Sequence, residues 1–295
     1  MRKKGALALL YLQSFSFPDD DREAGFLMQI RRTCYDSFYP FKVLSRRRFE
    51  RIDFEPVTIL YGGNGTGKST ALHVIARKAG IEQTAPYNRT SFFDDYVNMC
   101  RMEEHEPIPP GSRMIASDDV FDHMLEVREL NEGIDRKRGE MFDEYWDARR
   151  SGFQLSSLAD YDQLRKVNRA RKRSQSRFVR EEMGGNVRTF SNGESAFRYF
   201  TEKIGENALY LLDEPENSLS PERQMELTQL IEDSARFFGC QFVISTHSPF
   251  VLSMRGAKIY DLDSDPVDVR RWTELKNVRA YYAFFMRHRR EFEEE

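Results

Sequence analysis

Val57-Thr58-Ile59-Leu60-Tyr61-Gly62-Gly63-Asn64-Gly65-Thr66-Gly67-Lys68-Ser69 decides the fold. Val57–Tyr61 reads as a buried apolar strand. Gly62–Ser69 then matches G-x-x-x-x-G-K-[ST] throughout, and Ser69–Lys78 reads as a helix ending near Gly80. Strand, glycine loop and helix in this order form a phosphate cradle. Gly62, Gly63, Gly65 and Gly67, with Asn64 and Thr66 between them, let successive backbone N–H groups turn onto phosphate oxygens. The helix N-terminus adds a favourable dipole. Lys68 brings a positive charge for the β- and γ-phosphates, and the Ser69 hydroxyl suits Mg²⁺. Thr70, next along, is counted with the nucleotide-binding residues. A glycine turn without a ligand is the plain alternative, and the flanking strand and helix argue against it.

Working outward, a second strand, Ala208–Asp213, ends in the acids of Asp213-Glu214-Pro215. Two acids at the end of an apolar strand lie where open α/β sheets bind ligands. Asp213 is the expected Mg²⁺ ligand, and Glu214 the residue that orients and activates the attacking water. Pro221–Phe238 reads as a helix capped by Ser220, and Cys240–Thr246 as another buried strand. Lys258–Leu262 is a further strand candidate, and 276–295 a charged, aromatic-containing helix. Residues 5–17 look like a first strand or hairpin, and 49–61 alternate before turning continuously apolar.

Strands alternating with helices at both ends of the chain predict an α/β fold with a mostly parallel sheet. Between them, residues 121–182 are highly charged and lack prolines, which predicts a helical insertion. The expected organisation is 1–120 as an N-terminal lobe with the glycine loop, 121–184 as the insertion and 185–295 as a C-terminal lobe.

Composition sets outer limits. Of 295 residues 40% are hydrophobic, enough for a core, and 32% are charged. A net charge of -3 gives no whole-chain signal for nucleic acid, so local patches must carry that case. Cys34, Cys100 and Cys240 are far apart and form no C-x-x-C pair, which points away from zinc and disulfides and toward a reduced, cytoplasmic setting. Gly5–Leu12 follows Arg2, Lys3 and Lys4 but is too short for a signal peptide, and no run approaches the roughly 20 apolar residues of a membrane span.

Two further motifs complete the pattern. Phe190-Ser191-Asn192-Gly193-Glu194-Ser195 reads as a helix start with a hydroxyl and free amides, and Val243-Ile244-Ser245-Thr246-His247-Ser248-Pro249 puts a histidine just past a strand. With them the chain resembles the ABC ATPase superfamily over roughly 40–80 and 185–262. Ser191, Gly193 and Glu194 match its signature, usually Leu-Ser-Gly-Gly-Gln, while Phe190 and Asn192 depart from it. His247 falls at the place of the family's switch histidine, which contacts the γ-phosphate. Glu216–Ser220 resembles the D-loop, which runs across the family's dimer interface. "DEPENSLSP" and "STHSPF" look like the stand-alone ATPases related to SMC and DNA-repair proteins, many of them found in bacterial and phage-defence contexts. The resemblance implies an ABC-type P-loop head with a β-rich N-terminal part. It implies ATP and Mg²⁺ as ligands, with Glu214, His247 and Lys68 as catalytic residues. It also implies a head-to-tail homodimer or higher homo-oligomer in which Ser191, Gly193 and Glu194 of one copy meet ATP on the other. One family element has no assigned counterpart: Gln83 is too close to the glycine loop for the Q-loop glutamine, and Gln154 and Gln163 fall in the insertion. Met114–Val120 sits in the expected place, where Ser117 and Asp118 are the alternatives, and the ligand is left unassigned.

Residues 165–180 hold eight basic residues and no acid, a pattern that can track a phosphate backbone or form a solvated helix paired with nearby acids. Arg46, Arg47 and Arg48 make a second basic cluster, which in the family can contact the nucleotide and can equally flank a DNA path. The expected function is ATP hydrolysis coupled to DNA repair or anti-phage defence. The alternative is an ATP-dependent switch that controls a partner effector, a nuclease or toxin. A transporter subunit is a third reading.

Overall fold

The computed structural model describes residues 10–30, 37–150, 167, 170, 172, 174 and 192–293. The chain divides into two compact units, Met1–Phe121 with Ala196–Glu295, and Asp122–Ser195.

The first unit is built on two sheets. β1 (Leu12–Ser16), β2 (Arg51–Asp53) and β5 (Arg101–Glu104) form an antiparallel sheet in the order β2-β1-β5. This is the β-rich N-terminal part. The larger sheet comprises β3 (Val57–Tyr61), β4 (Glu82–Gln83), β6 (Arg113–Ala116), β7 (Leu209–Asp213), β8 (Gln241–Thr246), β9 (Lys258–Asp261) and β10 (Asp268–Val269). Its order is β10-β9-β3-β8-β7-β6-β4, and every neighbouring pair is parallel except β10 with β9. The fold is therefore α/β with a mostly parallel sheet. β3 and β8 are buried at every residue, as strands covered on both faces must be.

The stretch 49–61 does not form one strand. β2 and β3 belong to different sheets, and the chain passes between them at Phe54–Pro56. Phe54 N bonds Gln13 O in the small sheet, whereas Phe242 N bonds Pro56 O in the large one. Proline has no N–H for a ladder, so the run breaks there.

Helices accompany the sheets, and those that follow β3 and β7 in the first unit pack on the large one. α1 is Asp20–Gln29, α2 Lys68–Lys78, α3 Phe93–Met99 and α4 Ser117–Arg150. α5 is Asn192–Lys203, α6 Pro221–Phe237, α7 Pro249–Leu252, α8 Lys276–Arg287 and α9 Arg289–Glu293. Ser220 caps α6, its hydroxyl accepting from Arg223 N. The core joins both sheets and α2, with Phe15, Ile52, Leu60, Leu72, Tyr96 and Leu211 buried in one cluster. Gln241 stitches the sheets together: its Oε1 accepts from Tyr11 N at 2.8 Å and Leu12 N at 2.9 Å, and its Nε2 donates to Leu12 O at 2.9 Å.

In the second unit, buried Tyr145 and Ala170 pack with Met141, Phe142 and Ala148. No helix among the described residues is long and apolar enough to cross a membrane.

Candidate functional site

Because β3, β8 and β7 run parallel, their carboxyl ends share one edge. Tyr61 pairs with Thr246, and Ser245 with Asp213. The glycine loop, the paired acids and His247 all leave the sheet there, the place where such sheets bind ligands.

The glycine loop turns as its sequence requires. Gly67 has φ +98, and a Cβ there would stand 2.7 Å from Leu44 Cδ2 and 3.0 Å from Val43 Cγ1, so only glycine fits without strain. Gly65 is also left-handed, at φ +78. Lys68 is 4% exposed, and its Nζ donates to Gly62 O at 2.8 Å and Gly63 O at 3.1 Å. It also lies 3.5 Å from Glu214 Oε1. Thr66 Oγ1 donates to Gly63 O, and Gly63 N donates to Asp263 Oδ1 at 2.9 Å. Thr70 is buried, its hydroxyl accepting from Tyr39 OH at 2.9 Å.

The paired acids meet the loop. Ser69 Oγ donates to Asp213 Oδ1 at 3.0 Å, and Ser245 Oγ donates to the same oxygen. Burial pushes the Asp213 carboxyl above its ordinary range; Glu214 adds to the rise, while the hydroxyls of Ser245 and Ser69 and nearby His73 oppose it. An oxygen-only set of a serine hydroxyl and a carboxylate fits Mg²⁺, a hard cation. Glu214 has φ +47, a left-handed backbone costing a non-glycine residue on the order of 1–3 kcal/mol and concentrated at functional sites. Its N–H donates to Ser245 O at 3.0 Å, and Asn217 Nδ2 donates to Glu214 Oε2 at 3.0 Å.

His247 stands over the acids. Its Nδ1 is 3.8 Å from Glu214 Oε1 and 3.6 Å from Glu216 Oε1, with 40% of the side chain exposed. Lys68, Ser69, Asp213, Glu214 and His247 thus converge at one edge. Ser117 and Asp118 open α4 directly after β6, with no intervening loop. They line a cavity of about 440 Å³ together with Ser69, His73, Tyr87 and Asp213. His73 is stacked on Tyr87 at 4.4 Å between ring centroids, and its Nδ1 sits 2.8 Å from Gln83 Oε1.

The basic cluster follows a segment that reaches the loop. Val43 and Leu44, just ahead of it, pack on Gly67, and Arg48 lies 4.0 Å from Asp265. Gly193 and Glu194 open α5 and belong to the second unit, whereas the residues above belong to the first. Ser191 lies outside the described residues, as do the cations of 165–180 other than Lys172, which is exposed.

Several contributors carry weak sequence signals or none. Ser245 reads as part of a strand, yet its hydroxyl holds Asp213. Asp263 sits in an acidic turn far from the glycine loop in sequence. Glu216 is signalled only by the D-loop resemblance. On the other side of His247, an apolar groove of about 850 Å³ is lined by Phe250, Trp272, Val278, Tyr281, Tyr282 and Phe285, among others.

Residues 116–253 match the family model described as "AAA domain, putative AbiEii toxin, Type IV TA system". No curated protein matches the chain at a significant level. Among solved structures, the SMC head domain from Thermotoga maritima is 15% identical, with 75% of this chain and 92% of that one covered and a TM-score of 0.35. The Smc head domain with an extended coiled coil from Pyrococcus furiosus, bound to the C-terminal domain of ScpA, is 11% identical. There 81% of this chain and 95% of that one are covered, with a TM-score of 0.39. The ATP-binding cassette MJ0796, a dimer bound to ADP and Pi, is 14% identical over 74% of this chain and 88% of that one, with a TM-score of 0.34.

Proposed function

We propose that the chain is an ABC-type P-loop ATPase, a fold that supports ATP binding and hydrolysis, and that it hydrolyses ATP at a composite site completed by a second copy, as a cytoplasmic protein coupled to DNA in repair or anti-phage defence. The observation that carries the reading is the convergence of Lys68, Ser69, Asp213, Glu214 and His247 on the carboxyl edge of the sheet. Lys68 holds the β- and γ-phosphates. Ser69 and Asp213 would hold Mg²⁺, which supplies charge neutralisation when bound. Glu214 orients the attacking water, and His247 faces the γ-phosphate. Ser191, Gly193 and Glu194 serve the nucleotide of the partner copy. Phosphoryl transfer asks the protein mainly for positioning and charge compensation, and these residue types supply both. The family description, which names a toxin of a toxin–antitoxin system, supports a defence setting.

A second reading is an ATP-dependent switch that controls an effector protein. The apolar groove beside His247 favours it, because an occupant there would sit next to the reacting phosphate. Steady-state hydrolysis with and without double-stranded DNA at modest salt, with Glu214→Gln as the blank, separates the two. Stimulation that fades with salt supports DNA coupling. Hydrolysis indifferent to DNA points to the effector switch. Charge reversal at Arg169, Arg171, Arg173 and Arg177 should abolish DNA binding under the first reading and leave protein partners bound.

A further inference from the structure

Glu216 lies on the loop after β7, just past Glu214. Its side chain is 5% exposed. One oxygen, Oε1, accepts from Thr246 Oγ1 at 2.5 Å, His247 N at 2.9 Å and Ser248 N at 3.2 Å. The other, Oε2, is buried and has no hydrogen-bond partner among the described residues. A buried carboxylate with half of its acceptor capacity unused is not what stability alone favours. The same side chain lies 3.6 Å from His247 Nδ1. Gln224 closes the frame: Nε2 donates to Leu219 O at 2.9 Å, and Oε1 accepts from Ser248 Oγ at 2.7 Å. The turn carrying His247 is therefore bonded on one side to Glu216 and, through Gln224, to the loop that Glu216 begins.

We propose that Glu216 is the positioning residue of the site: it fixes the backbone at His247 so that the imidazole faces the reacting phosphate, and it ties that histidine to the Glu216–Ser220 loop. It acts through His247 and touches no substrate. The inference rests on the reading of His247 as the γ-phosphate contact.

The test is a double-mutant cycle in the full chain, with kcat and KM for Mg-ATP and the Kd of a fluorescent ATP analogue measured for Glu216→Ala, His247→Ala and the pair. Glu216→Ala is expected to lower kcat about 10- to 100-fold, the effect of a misplaced group. KM and Kd should stay near wild type. In the His247→Ala background the same change should cost nothing further, as for residues that act as a unit. Glu216→Gln keeps an acceptor oxygen and should restore most of kcat. If Glu216→Ala fails to fold, Thr246→Val removes one of the donors and should give a smaller loss that again vanishes without His247. Equal losses in both backgrounds would show a merely structural role and overturn the positioning role alone. Wild-type kcat in His247→Ala would overturn the histidine's role, and the inference with it.

Discussion

Gln241→Ala tests how the site's scaffold is held. The side chain is fully buried, and it satisfies three backbone groups of β1 and the residue before it, Tyr11 N, Leu12 N and Leu12 O, at 2.8–2.9 Å. Alanine leaves two N–H donors and one carbonyl without partners. Each buried group so stranded costs about 1–3 kcal/mol, so even the low end sums to about 3 kcal/mol. Because the lost bonds join β1 to β8, the small sheet should loosen first. Urea unfolding followed by circular dichroism reads the stability loss, and amide exchange at Leu12 reads its location. A loss below about 1 kcal/mol, the net worth of one ordinary hydrogen bond, would refute the claim that Gln241 stitches the sheets. So would unchanged exchange at Leu12.

Two other predictions follow from single positions. Gly67→Ala puts a Cβ on a backbone at φ +98, at a cost of about 1–2 kcal/mol plus the clash with Leu44, so ATP affinity should fall about tenfold or more by fluorescent-analogue titration. Glu23 is buried, its Oε2 accepting from Lys42 N and Ser45 Oγ, and burial raises its carboxyl above the ordinary range. The folded state therefore favours the protonated form: stability from this group is fully present below the unfolded value and is lost as pH rises through the folded one. Glu23→Gln should raise the urea midpoint at pH 8, with the gain vanishing near pH 4; a gain independent of pH would contradict the burial argument.

What could be read in the chain follows what is local. The glycine loop is legible because its strand, turn and helix are contiguous and the backbone demands of Gly65 and Gly67 are written as glycines. Asp213 and Glu214 are legible as acids ending an apolar run. Strand order is not, because pairing is set by contacts between distant segments: β8 lies between β3 and β7, although β7 precedes it in sequence. β5 reads Arg-Met-Glu-Glu, with no alternation to announce it, and becomes a strand by pairing with β1. The break at Glu55-Pro56 is hidden inside a run that otherwise looks continuous. Gln241 and Ser245 look like ordinary strand residues, and only the neighbours brought by the fold give them their hydrogen bonds.

In the proposed mechanism ATP is sandwiched between two copies and hydrolysed with Glu214. The most direct measurement is the molar mass of Glu214→Gln by light scattering, with and without Mg-ATP, beside its rate of phosphate release. A nucleotide-dependent dimer that releases almost no phosphate is expected, whereas the wild type turns over. A variant that stays monomeric with Mg-ATP, or that hydrolyses at the wild-type rate, would contradict that mechanism.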